Sequence, residues 1–193
     1  MMMNLDSRKK IQRERAIEKR FLINQSFQKK IAKFNDEFFK IKWFEDGKII
    51  ASFLSIKTEI STDYLNEYIL QKNKILCLPI IKEQSEILIF REYKSGNNLV
   101  SGKFGIMEPD IFSQELLPDI IFTPCLTFDM KGYRLGYGGG YYDKTFAHYK
   151  KLHHSFITVA VAYDDQKVIE VAHDKFDQKI DYILTEKELY KIS

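Results

Sequence analysis

The stretch "FDMKGYRLGYGGGYYDK", Phe128 to Lys144, packs five glycines, four tyrosines, one arginine and two aspartates into seventeen residues. It follows the apolar run "DIIFTP" (Asp119 to Pro124) and leads into a segment from about Tyr141 to Lys150 that reads as a helix. Strand, glycine loop, helix is the context in which main-chain N–H groups can cradle a phosphate. Gly136, Gly138, Gly139 and Gly140 carry no Cβ, so an anion can approach the backbone there. Arg134 offers a charged fork for a phosphate oxygen, and Lys144 a second cation. Asp143 is placed to carry Mg²⁺, which reaches proteins through one or two carboxylates plus nucleotide phosphates. A glycine run is also compatible with a plain flexible turn whose Tyr141, Tyr142 and Phe146 serve the core. The pattern is neither GxxxxGK[ST] nor GxGxxG, which disfavours a Walker site and a dinucleotide fold.

Outward from the loop, apolar runs alternate with helical patterns. "KIIASFL" (Lys48 to Leu54), "KILCLPII" (Lys74 to Ile81), "EILIFRE" (Glu86 to Glu92), "FITVAVAY" (Phe156 to Tyr163) and "DYILT" (Asp181 to Thr185) read as strands beside "DIIFTP". "STDYLNEYILQKN" reads as a helix capped by Ser61 or Thr62. Residues from about Ser7 to Lys40 show helical spacing of Ile17, Phe21, Phe27, Ile31, Phe34 and Phe38, with a break expected at Asn24 to Ser26. The interval Tyr93 to Leu117 reads as a long loop. Strands apolar throughout and alternating with helices predict an α/β fold whose sheet is covered on both faces.

The 193 residues suit a single domain, 1–193, with a basic helical region over about 7–40. Hydrophobic residues at 45% and charged ones at 30% exclude a disordered chain. A net charge of +3 is too small to argue for a nucleic-acid partner. Its distribution is uneven: Arg8, Lys9, Lys10, Arg13, Arg15, Lys19 and Arg20 crowd the first twenty positions. Cys77 and Cys125 form no CxxC pattern, against a zinc site or a disulfide framework. No run is apolar enough for a membrane helix, and the N-terminus lacks a signal-peptide core, so a reducing cytoplasm is the expected setting.

The string FD-x-x-G-x-RLG-x-G-x-GYYD is complete here: Phe128, Asp129, Gly132, Arg134, Leu135, Gly136, Gly138, Gly140, Tyr141, Tyr142 and Asp143. It resembles the signature of the 5-formyltetrahydrofolate cyclo-ligase family, also called methenyltetrahydrofolate synthetase. "FGIMEP" (Phe104 to Pro109) is similar to the family's GI-x-EP segment, and "SFLSIKTEIST" (Ser52 to Thr62) to its S-x-x-x-E-x-x-T segment, with Glu59 at the acidic position. "DIIFTPCLTFD" resembles its strand-Pro-x-x-x-FD lead-in, with Cys125 and Thr127 where Gly and Ala are more usual. "AYDDQ" supplies Gln166, and "FDQKIDYILTE" resembles the HD-x-x-x-D…TE tail, so the likeness reaches Glu186.

The resemblance implies a Rossmann-like three-layer sandwich of the sugar-phosphate isomerase and CoA transferase type. It implies conversion of 5-formyltetrahydrofolate to 5,10-methenyltetrahydrofolate with ATP and Mg²⁺, through a phosphorylated formyl group, releasing ADP and phosphate. Arg134, Leu135, Gly136, Tyr137, Gly138, Gly139, Gly140, Tyr141 and Tyr142 would form the ATP phosphate loop, with Tyr137 to Tyr141 also near the folate. Arg134, Tyr141 and Asp143 would be the catalytic groups. Asp143 would bind the metal, together with a tail carboxylate. Asp177 has the expected spacing to Asp181 but follows Phe176 in place of His; Asp174 keeps the His-Asp pair at the wrong spacing; Asp177 is favoured. Lys9 and Arg13, four apart and so on one helix face, would reach ATP. Lys19 or Arg20 would add a contact that spacing does not assign. Leu54 and Glu59 would line the pterin pocket, and Glu108 and Pro109 the folate mouth. Trp43 is expected in the core, and His148, His153 and His154 at surface or capping positions. The implied partner is a small molecule, 5-formyltetrahydrofolate, with no nucleic acid, no membrane and a monomeric chain. A phosphosugar enzyme without ATP, and an accessory nucleotide- or RNA-binding module, stand as alternatives; the latter would stack bases on the tyrosine-rich loop.

Overall fold

The computed structural model describes residues 3–27, 34–82, 84–96 and 99–192. Helix α1 (Leu5–Phe27) leads, followed by a 3₁₀ turn at Asp36–Phe39 and the short helix α2 (Lys42–Asp46). Strand β1 (Ile49–Ala51), helix α3 (Asp63–Gln71), β2 (Ile75–Ile81) and β3 (Leu88–Glu92) come next. Three short strands follow, β4 (Leu99–Ser101), β5 (Met107–Pro109) and β6 (Glu115–Leu116). Then come β7 (Ile120–Pro124), β8 (Thr127–Phe128), β9 (Arg134–Leu135) and helix α4 (Tyr141–Lys151). Strands β10 (Ile157–Val161), β11 (Tyr182–Leu184) and β12 (Leu189–Lys191) complete the order.

Eight strands form the main sheet in the order β12-β11-β10-β7-β1-β2-β3-β6. The run from β11 to β2 is parallel, with antiparallel β12 on one edge and antiparallel β3 and β6 on the other. Alternate residues of the central strands serve opposite faces, as a pleated strand requires. Ile50, Ile120, Phe122, Val159 and Leu184 join Leu65 and Ile69 of α3 and Phe44 of α2 on one face. Ala51, Ile121, Ala160 and Ile183 join Phe146 and Tyr149 of α4 on the other. The result is helix, sheet, helix: the two-sided cover that the uninterrupted apolar strands predict. From β1 the chain crosses outward to β2, whereas from β7 it crosses the other way to β10. Strand order therefore reverses between β1 and β7, and in open α/β sheets ligands bind beyond the carboxyl ends of the strands at such a point.

Several expectations differ from the structure. Helix α1 runs through Asn24 to Ser26 without a break, because the Ser26 hydroxyl donates back to the Ile23 carbonyl at 2.6 Å and fits the helix. Among the described residues the helix spans Leu5–Phe27, the described part up to Lys40 holds only the 3₁₀ turn Asp36–Phe39, and Ile31 lies outside the described residues. Thr62 stands at the N-cap of α3 as one of the two expected residues; its own hydroxyl donates to the Phe53 carbonyl at 2.6 Å, and it is the Ser61 hydroxyl that accepts from the Asp63 N–H at 3.2 Å. The interval Tyr93 to Leu117 holds the β4–β5 hairpin and edge strand β6; strands of two or three residues leave no periodic signature. Similarly, a small β8–β9 hairpin stands between β7 and the glycine run, with Gly132 in its turn at φ +91°. Strand β12 was not anticipated. Among the described residues no helix is long and apolar enough to cross a membrane, and both cysteines are buried and free.

Candidate active site

The segment after β1 and the segment after β7 leave the sheet side by side at the reversal point, and α1 lies across their exits. Gln166 fixes the second exit: its buried amide donates to the carbonyls of Cys125 and Leu126, both at 2.9 Å, and accepts from the Tyr163 N–H at 2.8 Å. Asp129, the first acid of the signature, is fully buried and consumed by backbone. It accepts from the N–H groups of Lys131, Tyr133 and Val171 at 2.8–3.0 Å. It shapes the β8–β9 turn, and three of its four acceptor sites are taken by backbone in a fully buried setting.

Asp143, in the first turn of α4, has a different setting. Its Oδ1 accepts from Arg134 Nη1 at 3.0 Å and from the Gln178 N–H at 2.9 Å. Arg134 also donates to the Gln178 carbonyl at 3.2 Å, and its guanidinium carbon lies 5.1 Å from the Phe146 ring centre. The arginine thus points inward and clamps the tail loop to α4. Leu135 and Tyr142 are likewise turned toward the core, Tyr142 against Phe146, which leaves their main chain as what they present to the loop.

The tail contributes both candidate carboxylates. Lys9 Nζ sits 2.9 Å from Asp174 Oδ2 and 2.5 Å from Asp177 Oδ2. Asp177 also accepts from the Asp174 N–H at 2.7 Å. Burial works against the Lys9 charge, but the hydrogen bonds to Asp177 and Asp174 outweigh it and raise its pKa. Lys9 in turn, with the Phe176 amide, holds the Asp174 carboxyl below its usual range. Asp177 is the neighbour of Gln178, so adjacent residues bind Lys9 and Asp143. His173 stacks on the Tyr133 ring at 3.6 Å between centres, and Phe176 is exposed.

Arg13 reaches the glycine run directly, donating Nε to the Gly136 carbonyl at 3.1 Å. Gly138 has φ +106°, and a Cβ there would stand 3.4 Å from the Arg13 guanidinium carbon, so backbone and cation are already in contact. Gly140 takes the N-cap of α4 at φ +68°. The N–H groups of the first turn of α4 open toward this loop, an electropositive helix start. Tyr141 accepts a hydrogen bond from Lys103 of the β4–β5 hairpin at 3.2 Å. The Lys144 stem lies beside Gly140, where a Cβ would stand 3.6 Å from Lys144 Cε, while its ammonium pairs with Glu86 at 2.6 Å on the surface.

Glu59 is buried on the other side of the loop, with Leu54 half-buried in the same segment. Its Oε2 accepts from the Ile56 N–H at 3.0 Å, and Oε1 lies 3.8 Å from Arg20 Nη1. Burial pushes its pKa up, opposed by the Ile56 amide and by Arg20 and Lys57. Tyr137 bridges the two sides: its hydroxyl accepts from Arg20, and Lys57 Nζ lies 5.3 Å from its ring centre. Glu108 sits in β5, where a Cβ on Gly102 would collide with its carboxylate at 2.1 Å. Trp43 packs on Tyr182 and His154 binds the Pro118 carbonyl, both outside the site as expected.

Thr58, Lys103 and Gln178 carry no signal in the sequence, and of the pair Lys19 or Arg20 it is Arg20 that reaches the site. For Arg20 a signal existed. Positions 9, 13, 16, 20 and 23 form one helical stripe, and Lys9, Ala16, Arg20 and Ile23 are its buried members; Lys19 lies off it.

The model of the 5-formyltetrahydrofolate cyclo-ligase family matches residues 5–186. The chain belongs to that family. The 5-formyltetrahydrofolate cyclo-ligase of Haemophilus influenzae is 38% identical over 136 residues, covering 68% of this chain and 72% of that one. The cyclo-ligase of Escherichia coli K12 is 31% identical over 147 residues, covering 74% and 80%. Among solved structures, the 5,10-methenyltetrahydrofolate synthetase of Aquifex aeolicus superposes with a TM-score of 0.73 at 28% identity, over 95% of this chain and 92% of that one. The Mycoplasma pneumoniae synthetase, at 20% identity and a TM-score of 0.67, shares the fold. Within the cyclo-ligase fold the signature residues divide: Asp129 and Leu135 build the turn, while Gly136 to Gly140 and Asp143 line its mouth.

Proposed function

We propose that this cyclo-ligase converts 5-formyltetrahydrofolate to 5,10-methenyltetrahydrofolate at the expense of ATP, with Mg²⁺, and that the site is the mouth between Glu59 and Asp143. The observation that carries the reading is the glycine run itself, which touches Arg13 and Asp143's helix on one side and, through Tyr137, the Glu59 segment on the other. One loop thus serves a phosphate and a heterocycle at once.

The donor chemistry fits the metal. Mg²⁺ takes one or two protein carboxylates and fills its shell with phosphate and water. Asp143 and Asp177 supply two, through adjacent residues Gln178 and Asp177. Among the described residues no cluster of three or more His, Cys, Asp or Glu forms an all-protein cage. Bound there, MgATP would supply the phosphoryl group that turns the formyl oxygen into a leaving group.

The chain's own residues do the rest. Glu59 reads the pterin, whose amino and ring N–H groups match a carboxylate acceptor. Gly136 to Gly140 let the triphosphate lie on bare N–H groups, and Arg13 and Lys9 offset its charge. Arg134 fixes Asp143 and the tail loop, so its contribution is to hold the clamp. The folate N10 then bonds to the formyl carbon, the carbon–oxygen bond breaks with loss of phosphate, and the N10 proton departs. No step calls for a histidine base. Positioning N10 against an activated carbon is the main contribution left for the protein. Arg13 on the glycine run and Lys9 on the tail carboxylates favour this over a phosphosugar enzyme, which has no use for them.

The test is direct. The protein is mixed with 5-formyltetrahydrofolate, Mg²⁺ and ATP, and the near-ultraviolet band of the methenyl product is followed with ADP release. ATP-dependent growth of the band with equal ADP is expected; a flat trace from folded, nucleotide-binding protein would sink the proposal.

A further inference from the structure

Arg20 is the most enclosed charge of the site, 1% exposed in the middle of α1. Its guanidinium contacts four residues on three segments. Nε donates to Thr58 Oγ1 at 3.1 Å and Nη1 to the Cys125 carbonyl at 3.1 Å; Nη1 also lies 3.8 Å from Glu59 Oε1, and Nη2 donates to the Tyr137 hydroxyl. A guanidinium buried for stability alone is served well enough by carbonyls. This one spends two of its contacts on groups that face the mouth, a buried carboxylate and a tyrosine that is 47% exposed. Removing such a buried charge from its partner leaves the other uncompensated.

We propose that Arg20 is a positioning residue that holds the Glu59 carboxylate and the Tyr137 side chain in fixed relation, so that one guanidinium sets the folate wall and the glycine loop together. This rests on the reading of Glu59 as the pterin acceptor. Glu59 is surrounded by Arg20 from α1, Lys57 from its own segment, Cys125 from the turn after β7 and Tyr142 from α4. Of these only Arg20 and Lys57 are cations, and Lys57 is exposed. Burial already raises the Glu59 pKa. Without Arg20 it rises further, the carboxylate takes up a proton nearer neutrality, and a protonated Glu59 no longer accepts both pterin donors.

The experiment measures kcat and both KM values across pH for the wild type, Arg20→Gln, Arg20→Lys, Tyr137→Phe and Glu59→Gln. Arg20→Gln is expected to raise the folate KM about tenfold, the size of one charge-assisted hydrogen bond. It should also move the acid limb of kcat/KM for folate toward neutrality. Arg20→Lys should return the limb most of the way, since the charge near Glu59 is kept, without restoring the hold on Tyr137. In a Glu59→Gln background, Arg20→Gln should add little to the folate KM. An unmoved acid limb with additive effects would overturn the proposal. Should Arg20→Gln fail to fold, Tyr137→Phe decides it, because it loses only a hydroxyl from a half-exposed ring. Its effect on folate KM should be non-additive with Arg20→Lys, and additivity would overturn the proposal equally. Wild-type protein that makes no methenyl product refutes the reaction instead, whereas active wild type with unaffected variants refutes Arg20 alone.

Discussion

Lys9 and Arg20 lie on one face of α1, about three turns apart, and are held in opposite ways. Arg20 is locked by a planar fork into three segments of the fold, none of which can leave without stranding a buried charge. Lys9 is a point charge between two carboxylates of a single loop, one of which, Asp174, stays partly exposed to water. A fork suits a fixed wall, and a flexible ammonium suits a contact that is exchanged. The difference assigns the two ends of the helix to different tasks. On the proposed reading the Arg20 end is the preformed wall for the heterocycle, and the Lys9 end would trade a carboxylate for a phosphate when nucleotide binds.

The harshest test of that division is at the nucleotide end. Asp143→Asn keeps the size and one oxygen for the Gln178 amide but removes the charge. Turnover should fall roughly 10²–10³-fold, the range seen when one electrostatic stabiliser of a transition state is lost. Arg134 is left without its carboxylate, so stability should drop by about 1–3 kcal/mol, which a thermal melt will show as a lowered but cooperative transition. Folate binding should persist, because Glu59 is untouched. Normal turnover in this variant would remove Asp143 from the site and with it the assignment of this end to nucleotide.

How much of this was legible beforehand follows the same divide. The layers were legible because uninterrupted apolar strands such as "FITVAVAY" have no solvent-facing residues to interrupt them, and a covered sheet is what such strands build. The glycine run was legible because missing Cβ atoms are a property of the sequence itself. What stayed hidden depends on pairing across the chain. Nothing local in Asp129 and Asp143 tells the turn-builder from the candidate ligand; the distinction is that three amides reach Asp129 and take three of its four acceptor sites. Gln178 was invisible because it acts through its main chain, which any residue has. The choice between Lys19 and Arg20 was within reach of helical periodicity, since Arg20 continues the stripe of Lys9 and Arg13.

A smaller effect sharpens the comparison. Arg13→Ala removes the cation on Gly136 and Gly138 and should raise the ATP KM about tenfold with the folate KM unchanged. Arg20→Gln should show the reverse split. If both variants shift both constants alike, the helix has one function and not two. Below that, Asp177→Asn should raise the Mg²⁺ concentration for half-maximal rate by about three- to tenfold, as second carboxylates of a shared shell do. Asp174→Asn should barely move it, since Asp174 touches Lys9 but not the Gln178–Asp143 connection. Equal shifts would mean the two carboxylates share the metal.

The smallest effect is expected at Lys144. Sequence places it one helical turn into α4, close enough to the glycine run to serve as a second phosphate cation. In the fold its stem lies beside Gly140 but its ammonium pairs with Glu86, and both side chains are well exposed, at 42% and 76%. An exposed pair of this kind contributes about 0–1 kcal/mol, and a lysine whose ammonium already rests in water on Glu86 gains little by turning it to a loop that Arg13 occupies. Lys144→Met should therefore change the ATP KM by less than about twofold and leave the melting temperature nearly where it was. A larger rise in KM, restored by Lys144→Arg, would show that nucleotide draws Lys144 off Glu86. The nucleotide end would then exchange two lysines where the folate end exchanges none.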